Sequence, residues 1–202
     1  MIILKNAGKK IRDRQVLYDI NIEFEEGMIY LLEGHNGSGK TMLLRMLAGL
    51  ISPTEGKVIF EKEYSYGVII ETPTFLSGDT ALKNLRFLAH INHKIEDEQI
   101  YEMMKTFDLY NDRNAKVRTF SLGMTQRLAL CQALMEGPEV LLLDEPFNAL
   151  DRTNADMLTN VLKNEKRKNR IIVIAAHNID PEARIMIDRI ITMQDGTVKD
   201  AV

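Results

Sequence analysis

The sequence predicts an α/β fold: a mostly parallel sheet core, an antiparallel β subdomain near the start and a small helical subdomain inserted midway. Three observations lead there. The apolar run Met28-Ile29-Tyr30-Leu31-Leu32 enters a glycine-rich stretch, which enters Met42 to Leu50, apolar at helical spacing. Val140-Leu141-Leu142-Leu143 and residues 170–176 are apolar runs of the kind buried on both faces of a parallel sheet. Between these regions, Thr80 to Ile91 and Glu98 to Phe107 repeat apolar residues at helical spacing.

Taken in order, Ile2 to Lys5 and Val16 to Phe24 read as strands, with Ile20, Ile22 and Phe24 alternating with polar residues. Tyr18 falls inside that pattern and is expected in the core. Glu25-Glu26-Gly27 turns the chain into the next strand. After the first helix, Ser52 to Gly56 is a turn cluster, followed by strands at Lys57–Phe60 and Tyr66–Ile70. The two amphipathic helices follow, then a polar, basic connection from Asp112 to Arg118 that reads as solvated loop. Gly123 to Met135 is a third helix, stopped by Gly137-Pro138. Arg152 to Lys168 is a long helix, and its closing Lys166-Arg167-Lys168 suits the negative end of the helix dipole. Pro181 is placed to open a short helix, and Ile190 to Met193 is a last strand, turned at Asp195-Gly196. The expected division is one domain over 1–202, with a core of about 1–71 and 137–202 and a helical lobe of about 72–136.

Composition narrows the function classes. With 26 basic and 29 acidic residues, a formal charge of −3 leaves no basic footprint for nucleic acid. The apolar fraction of 45% is that of an ordinary globular chain, and no run approaches the ~20 apolar residues of a membrane span. Cys131, the single cysteine, lies in an apolar helical pattern and reads as a buried structural thiol in a reducing compartment. His90 and His93 stand three apart with nothing else to suggest a metal, and read as surface residues.

The glycine-rich stretch is Gly34-His35-Asn36-Gly37-Ser38-Gly39-Lys40-Thr41-Met42, which fits G-x-x-x-x-G-K-[ST] between a strand and a helix. Such a loop turns successive backbone N–H groups inward as an anion cradle, and the helix N-terminus adds partial positive charge. Lys40 would reach the β- and γ-phosphates and Thr41 would sit on Mg²⁺. Asp144 and Glu145 end the apolar run 140–143. An Asp there can hold Mg²⁺ beside a phosphate loop. Glu145, one residue on, can polarise an attacking water.

At Phe120-Ser121-Leu122-Gly123-Met124-Thr125-Gln126 the chain resembles the signature of the ATP-binding-cassette (ABC) ATPases, with Ser121 and Gly123 matching and Met124 and Thr125 departing. The order also resembles that family: phosphate loop, helical insertion, signature, Asp144-Glu145-Pro146, then Asn148-Ala149-Leu150-Asp151 and Ala176-His177. The resemblance covers essentially the whole chain and implies a P-loop NTPase of ABC type, hydrolysing ATP with Mg²⁺. It implies head-to-tail pairing with a second ABC subunit, identical or not, so that Ser121, Leu122, Gly123 and Met124 of one copy meet the γ-phosphate held by the other. It implies Glu145 as general base, His177 on the γ-phosphate and Asp151 in the loop beside the nucleotide. It further implies a separately encoded membrane-spanning partner, a cytoplasmic position at the inner face of the membrane, and no nucleic acid. Phe75 and Leu76 are candidates to line the groove that receives that partner.

Two positions depart from the family pattern. Glu71 stands where the family usually carries a Gln that contacts Mg²⁺, and a carboxylate there still suits the metal. Ile-Glu-x-Pro with Ser-Leu-Gly-Met resembles the bacterial subgroup linked to peptide-antibiotic export and self-immunity. The residue that stacks on adenine in the family aligns with Ile11, which offers apolar contact without π-stacking, so base selectivity is expected to be loose. The rivals from other classes are a non-transport ABC regulator and a P-loop kinase acting on a small molecule. One cassette without heptads argues against the first, and the signature argues against the second.

Overall fold

The computed structural model describes residues 1–92, 94–177 and 179–201; His93 lies outside them. The elements run β1 (Ile2–Ile11), β2 (Arg14–Phe24), β3 (Met28–Glu33), α1 (Lys40–Leu47), β4 (Glu55–Phe60), β5 (Tyr66–Ile69), α2 (Ala81–Asn92), α3 (Asp97–Thr106), α4 (Leu122–Leu134), β6 (Val140–Asp144), α5 (Arg152–Arg167), β7 (Ile171–Ala176), α6 (Pro181–Arg184), β8 (Arg189–Gln194) and β9 (Thr197–Ala201). A 3-10 turn, Val117–Thr119, leads to α4.

Two sheets form. β2-β1-β4 is antiparallel, and β5-β6-β7-β3-β8-β9 is parallel except at its last pair. Strand periodicity sorts the side chains of the larger sheet into two cores. Tyr30, Leu32, Val140, Leu142, Ile171 and Val173 face the antiparallel sheet, with Leu43, Leu44 and Leu47 of α1 packed between. Ile29, Leu31, Leu141, Leu143, Ile172 and Ile174 face the helices, meeting Leu85, Leu128, Leu158 and Leu162. Each such side chain, fully withdrawn from water, contributes roughly 1.5–3 kcal/mol. A strand apolar at every position is thus shared by two cores, which is why 140–143 shows no alternation.

Three local expectations need correction. β1 extends to Ile11 because it forms a long hairpin with β2, Ile11 pairing Arg14, although residues 5–10 are largely polar. Tyr18 is 45% exposed, not core. The alternation slips at Asp19, whose φ is +44°, so Tyr18 and Asp19 both face outward before Ile20 turns in. A further strand, β9, follows the Asp195-Gly196 turn and covers the edge of β8. Cys131 is fully buried as expected, and burial pushes its thiol pKa upward. His90 is exposed, and among the described residues no cluster of His, Cys, Asp and Glu could hold a metal by itself.

α4 and β5 approach closely at Gly67. A Cβ on Gly67 would stand 2.0 Å from the Ala133 carbonyl oxygen and 2.7 Å from the Pro138 ring. Gly67→Ala is therefore expected to lower the unfolding free energy by about 1–3 kcal/mol, since a backbone atom must give way. Urea unfolding of the two proteins measures it, and equal midpoints would refute the tight joint.

Candidate nucleotide site at the carboxyl edge of the sheet

Parallel register builds the site. Glu33 pairs with Ala176, Leu32 with Ala175, and Asp144 with Ala175, so β3, β7 and β6 end at one level. The phosphate loop follows β3, His177 follows β7, and Asp144 closes β6; ligands in open α/β sheets bind at this edge. A cleft of about 770 Å³ opens there, lined by Asn36, Gly37, Gly39, Lys40, Thr41 and Met42 of the loop and by Asp144 and Glu145.

Close packing and backbone shape dictate the loop. A Cβ on Gly34 would lie 2.3 Å from the Met193 carbonyl oxygen and 2.6 Å from Ser38 Oγ, so nothing larger fits. Gly39, the N-cap of α1, has φ +106°, which an L side chain rarely adopts. Lys40 is 6% exposed, and its Nζ donates to the carbonyls of Gly34 (2.7 Å) and His35 (3.2 Å), closing the loop on itself. Ser38 is buried, and His35 is exposed with Nε2 3.7 Å from Asp195. The β8–β9 turn braces the loop from outside: Gly196 N–H donates to Ser38 O (2.9 Å), and Tyr18 N–H donates to Gly196 O (2.8 Å).

At the floor, Thr41 Oγ1 donates to Asp144 Oδ2 at 2.8 Å. Burial pushes the Asp144 carboxyl above its usual range, against the Thr41 hydrogen bond, while the neighbouring Glu145 charge pushes the same way as burial. Glu145 sits at φ +48°, an uncommon conformation for a residue with a Cβ, held by its N–H to Ala175 O at 2.8 Å. That turn aims its carboxylate at His177, with Oε1 2.7 Å from Nδ1 and 3.2 Å from the His177 amide. An ionised carboxylate only accepts, so Nδ1–H donates and Nε2 is the ring nitrogen left for a ligand.

Other expected residues lie elsewhere. Glu71 does not join Thr41 and Asp144: its carboxylate takes Arg45 Nη2 at 2.6 Å. Ile11 is at the hairpin end and does not line the cleft; Asp13, Arg14, Gln15, Val16 and Tyr18 line that side instead. The slip at Asp19 and the reach of the hairpin produce this arrangement, and only the Val16-Leu17 pair in the sequence marked it. Asp151 is outside the cleft and caps α5, accepting from Asn154 N–H at 2.8 Å. Ser121 caps α4 through Met124 N–H at 3.2 Å, Leu122 is 70% exposed, and a Cβ on Gly123 would meet Ala149 O at 2.8 Å. None of Ser121, Leu122, Gly123 or Met124 lines the chain's own phosphate cleft. Asp195 and Gly196 do, although in the sequence they mark only a turn.

The family model described as "ABC transporter" matches residues 17–148, well over half of the chain. The chain belongs to the ABC transporter family. Within it, the chain is an ATP-binding subunit and an ATPase, and its fold is that of the ABC cassette. It is 42% identical over 187 residues to the uncharacterised ABC transporter ATP-binding protein YybJ of Bacillus subtilis, covering 88% of this chain and 86% of that one. It is 31% identical to the bacitracin transport ATP-binding protein BcrA of Enterococcus faecalis, covering all of this chain and 69% of BcrA. The ATP-binding cassette MJ0796, solved as a dimer in a post-hydrolysis state with ADP and Pi, superposes with a TM-score of 0.90 at 25% identity, over 100% of this chain and 98% of that one.

Glu33, the last residue of β3 before this ABC loop, ties it to α6 beyond His177: Arg184 donates Nη1 and Nη2 to its two carboxylate oxygens at 2.7 and 3.0 Å. Those hydrogen bonds hold the Glu33 carboxyl below the usual range. A lowered folded-state pKa contributes stability above the unfolded value, about 4.3, and loses it as pH falls through the folded one. The pair is partly exposed, so Arg184→Met is expected to cost less than about 1 kcal/mol at neutral pH. Urea unfolding along a pH series should show that difference closing below about pH 4; a difference independent of pH would mean lost packing instead.

Proposed function

We propose that the chain is the ATP-hydrolysing subunit of a bacterial exporter whose membrane-spanning subunits are separate chains and whose cargo is of the peptide-antibiotic class. One observation carries the hydrolytic part. A loop lysine, a Thr41–Asp144 pair and a Glu145 carboxylate anchored by His177 meet in one cleft at the carboxyl ends of adjacent strands. The likeness to a bacitracin transport ATP-binding protein supports the cargo class.

In this reading the backbone N–H groups of Gly34 to Met42 cradle the phosphates and Lys40 exchanges its two carbonyl partners for phosphate oxygens. Thr41 and Asp144 would hold Mg²⁺, which when bound supplies charge neutralisation for phosphoryl transfer. Their fit rests on two hard oxygen donors side by side, one a carboxylate whose ionised form burial disfavours and a cation would favour. Glu145, fixed through Oε1, takes the proton of the attacking water, and His177 turns Nε2 to the γ-phosphate. Val16, Tyr18 and Arg14 replace Ile11 as the base contacts.

Ser121 and Gly123 would act on the nucleotide of a second subunit, head to tail. Support comes from their absence from the lining of the chain's own cleft, from the exposed Leu122 beside them and from the dimeric state of MJ0796. The chain then works as one cassette, a core of about 1–71 and 137–202 with a helical lobe of about 72–136. It sits at the inner face of the membrane through its partners; among the described residues no helix is long and apolar enough to cross.

Lys40→Ala should abolish tight ATP binding in a calorimetric titration, and retained micromolar affinity would remove the loop from the site. Glu145→Gln should bind ATP, lose at least about 100-fold in turnover and accumulate a closed dimer on size-exclusion chromatography. Near-normal phosphate release by that variant would strike Glu145 out as the base.

A further inference from the structure

Glu71 lines a small cleft together with Asp144 and Glu145, so it stands beside the acid pair at the end of β6. Its backbone has φ +63°. Its own carboxylate turns away to Arg45 Nη2 at 2.6 Å. Arg45 lies four residues after Thr41 on α1, hence one helical turn behind the hydroxyl and on the same face. The helix that presents the metal-facing hydroxyl thus also presents the cation that draws Glu71 off.

We propose that Arg45 is a positioning residue that holds the Glu71 carboxylate in reserve and competes with the metal for it. The inference rests on the alignment that gives Glu71 the place of a Mg²⁺-contacting Gln, a contact its carboxylate would make only on leaving Arg45. Without a partner, a third carboxylate beside Asp144 and Glu145 would meet two like charges, and the contact with Arg45 offsets that repulsion. The pair is suited to exchange. Glu71 is 61% exposed and Arg45 33% exposed in their side chains, so water screens the attraction and little holds the carboxylate back. Were a divalent cation held by Thr41 and Asp144 beside a phosphate, its double charge and preference for oxygen ligands would favour the Glu71 carboxylate over a solvated guanidinium. Arg45 therefore sets how tightly the loaded site holds metal, through a carboxylate it does not share with the nucleotide.

The test uses the full chain saturated with a non-hydrolysable ATP analogue, with Mn²⁺ titrated in and free Mn²⁺ read by electron paramagnetic resonance. Arg45→Met should tighten Mn²⁺ binding about two- to fivefold, the range of an exposed ion pair. Arg45→Lys, which keeps the charge, should stay near wild type, and adding Glu71→Gln to Arg45→Met should erase the gain. If Glu71→Gln alone weakens Mn²⁺ binding while Arg45→Met leaves it unchanged or weaker, Glu71 is a ligand and Arg45 no competitor, which overturns the proposal alone. If neither substitution moves Mn²⁺ binding, Glu71 is no ligand, and the reading falls together with the proposal. Both side chains lie at the surface, and the Lys variant supplies a folded control.

Discussion

β3 is hydrogen-bonded in parallel register on both edges, by β7 and by β8, and the rest of the site depends on that pairing. Parallel strands deliver their carboxyl ends to one edge. There the phosphate loop, His177 and the Asp195-Gly196 turn emerge side by side, with Asp144 and Glu145 one strand further out. Slipping β3 by one residue would invert its inner and outer side chains, exchanging Tyr30 and Leu32 for Ile29 and Leu31 between the two cores. The site's geometry is thus locked by apolar packing that never touches a ligand.

On that frame the edge carries arrangements that are costly without a ligand. Asp144 is ionisable and partly buried, Glu145 and Glu71 both hold positive φ, and Lys40 turns its charge onto the loop's own carbonyls. Backbone in sparsely populated regions persists where surrounding hydrogen bonds over-determine it, and such places concentrate at working sites. A triphosphate with its cation would answer most of these at once, giving Lys40 an anion and Asp144 a positive neighbour. Glu145 and His177 hold one another, so the positions of both side chains are fixed by the protein itself.

Much of this was legible in the chain itself, for a specific reason. G-x-x-x-x-G-K-[ST] and the acidic pair after an apolar run are local patterns whose chemistry follows from residues adjacent in sequence. Illegible were the features that depend on how one strand lies against another. Alignment puts Ile11 at the base position, yet hairpin reach and the slip at Asp19 bring Tyr18 and Arg14, not Ile11, to the cleft. Position gives Glu71 to the metal side, but only the tertiary structure shows that a guanidinium one turn along α1 holds its carboxylate. The bracing of Ser38 by Gly196 joins residues 158 apart in the chain, beyond any local signal.

By itself, then, the sequence determined the fold class, the phosphate loop, the acid pair at the end of β6 and the kinship with ABC proteins. Each is written in short-range spacing, apolar periodicity or motif order. The tertiary structure alone decided which side chains reach the cleft, who holds Glu71, and that Glu145 and His177 share a hydrogen bond. Those outcomes are set by register, bulges and packing between segments distant in the chain, where a shift of one residue or one rotamer moves a functional group to another partner.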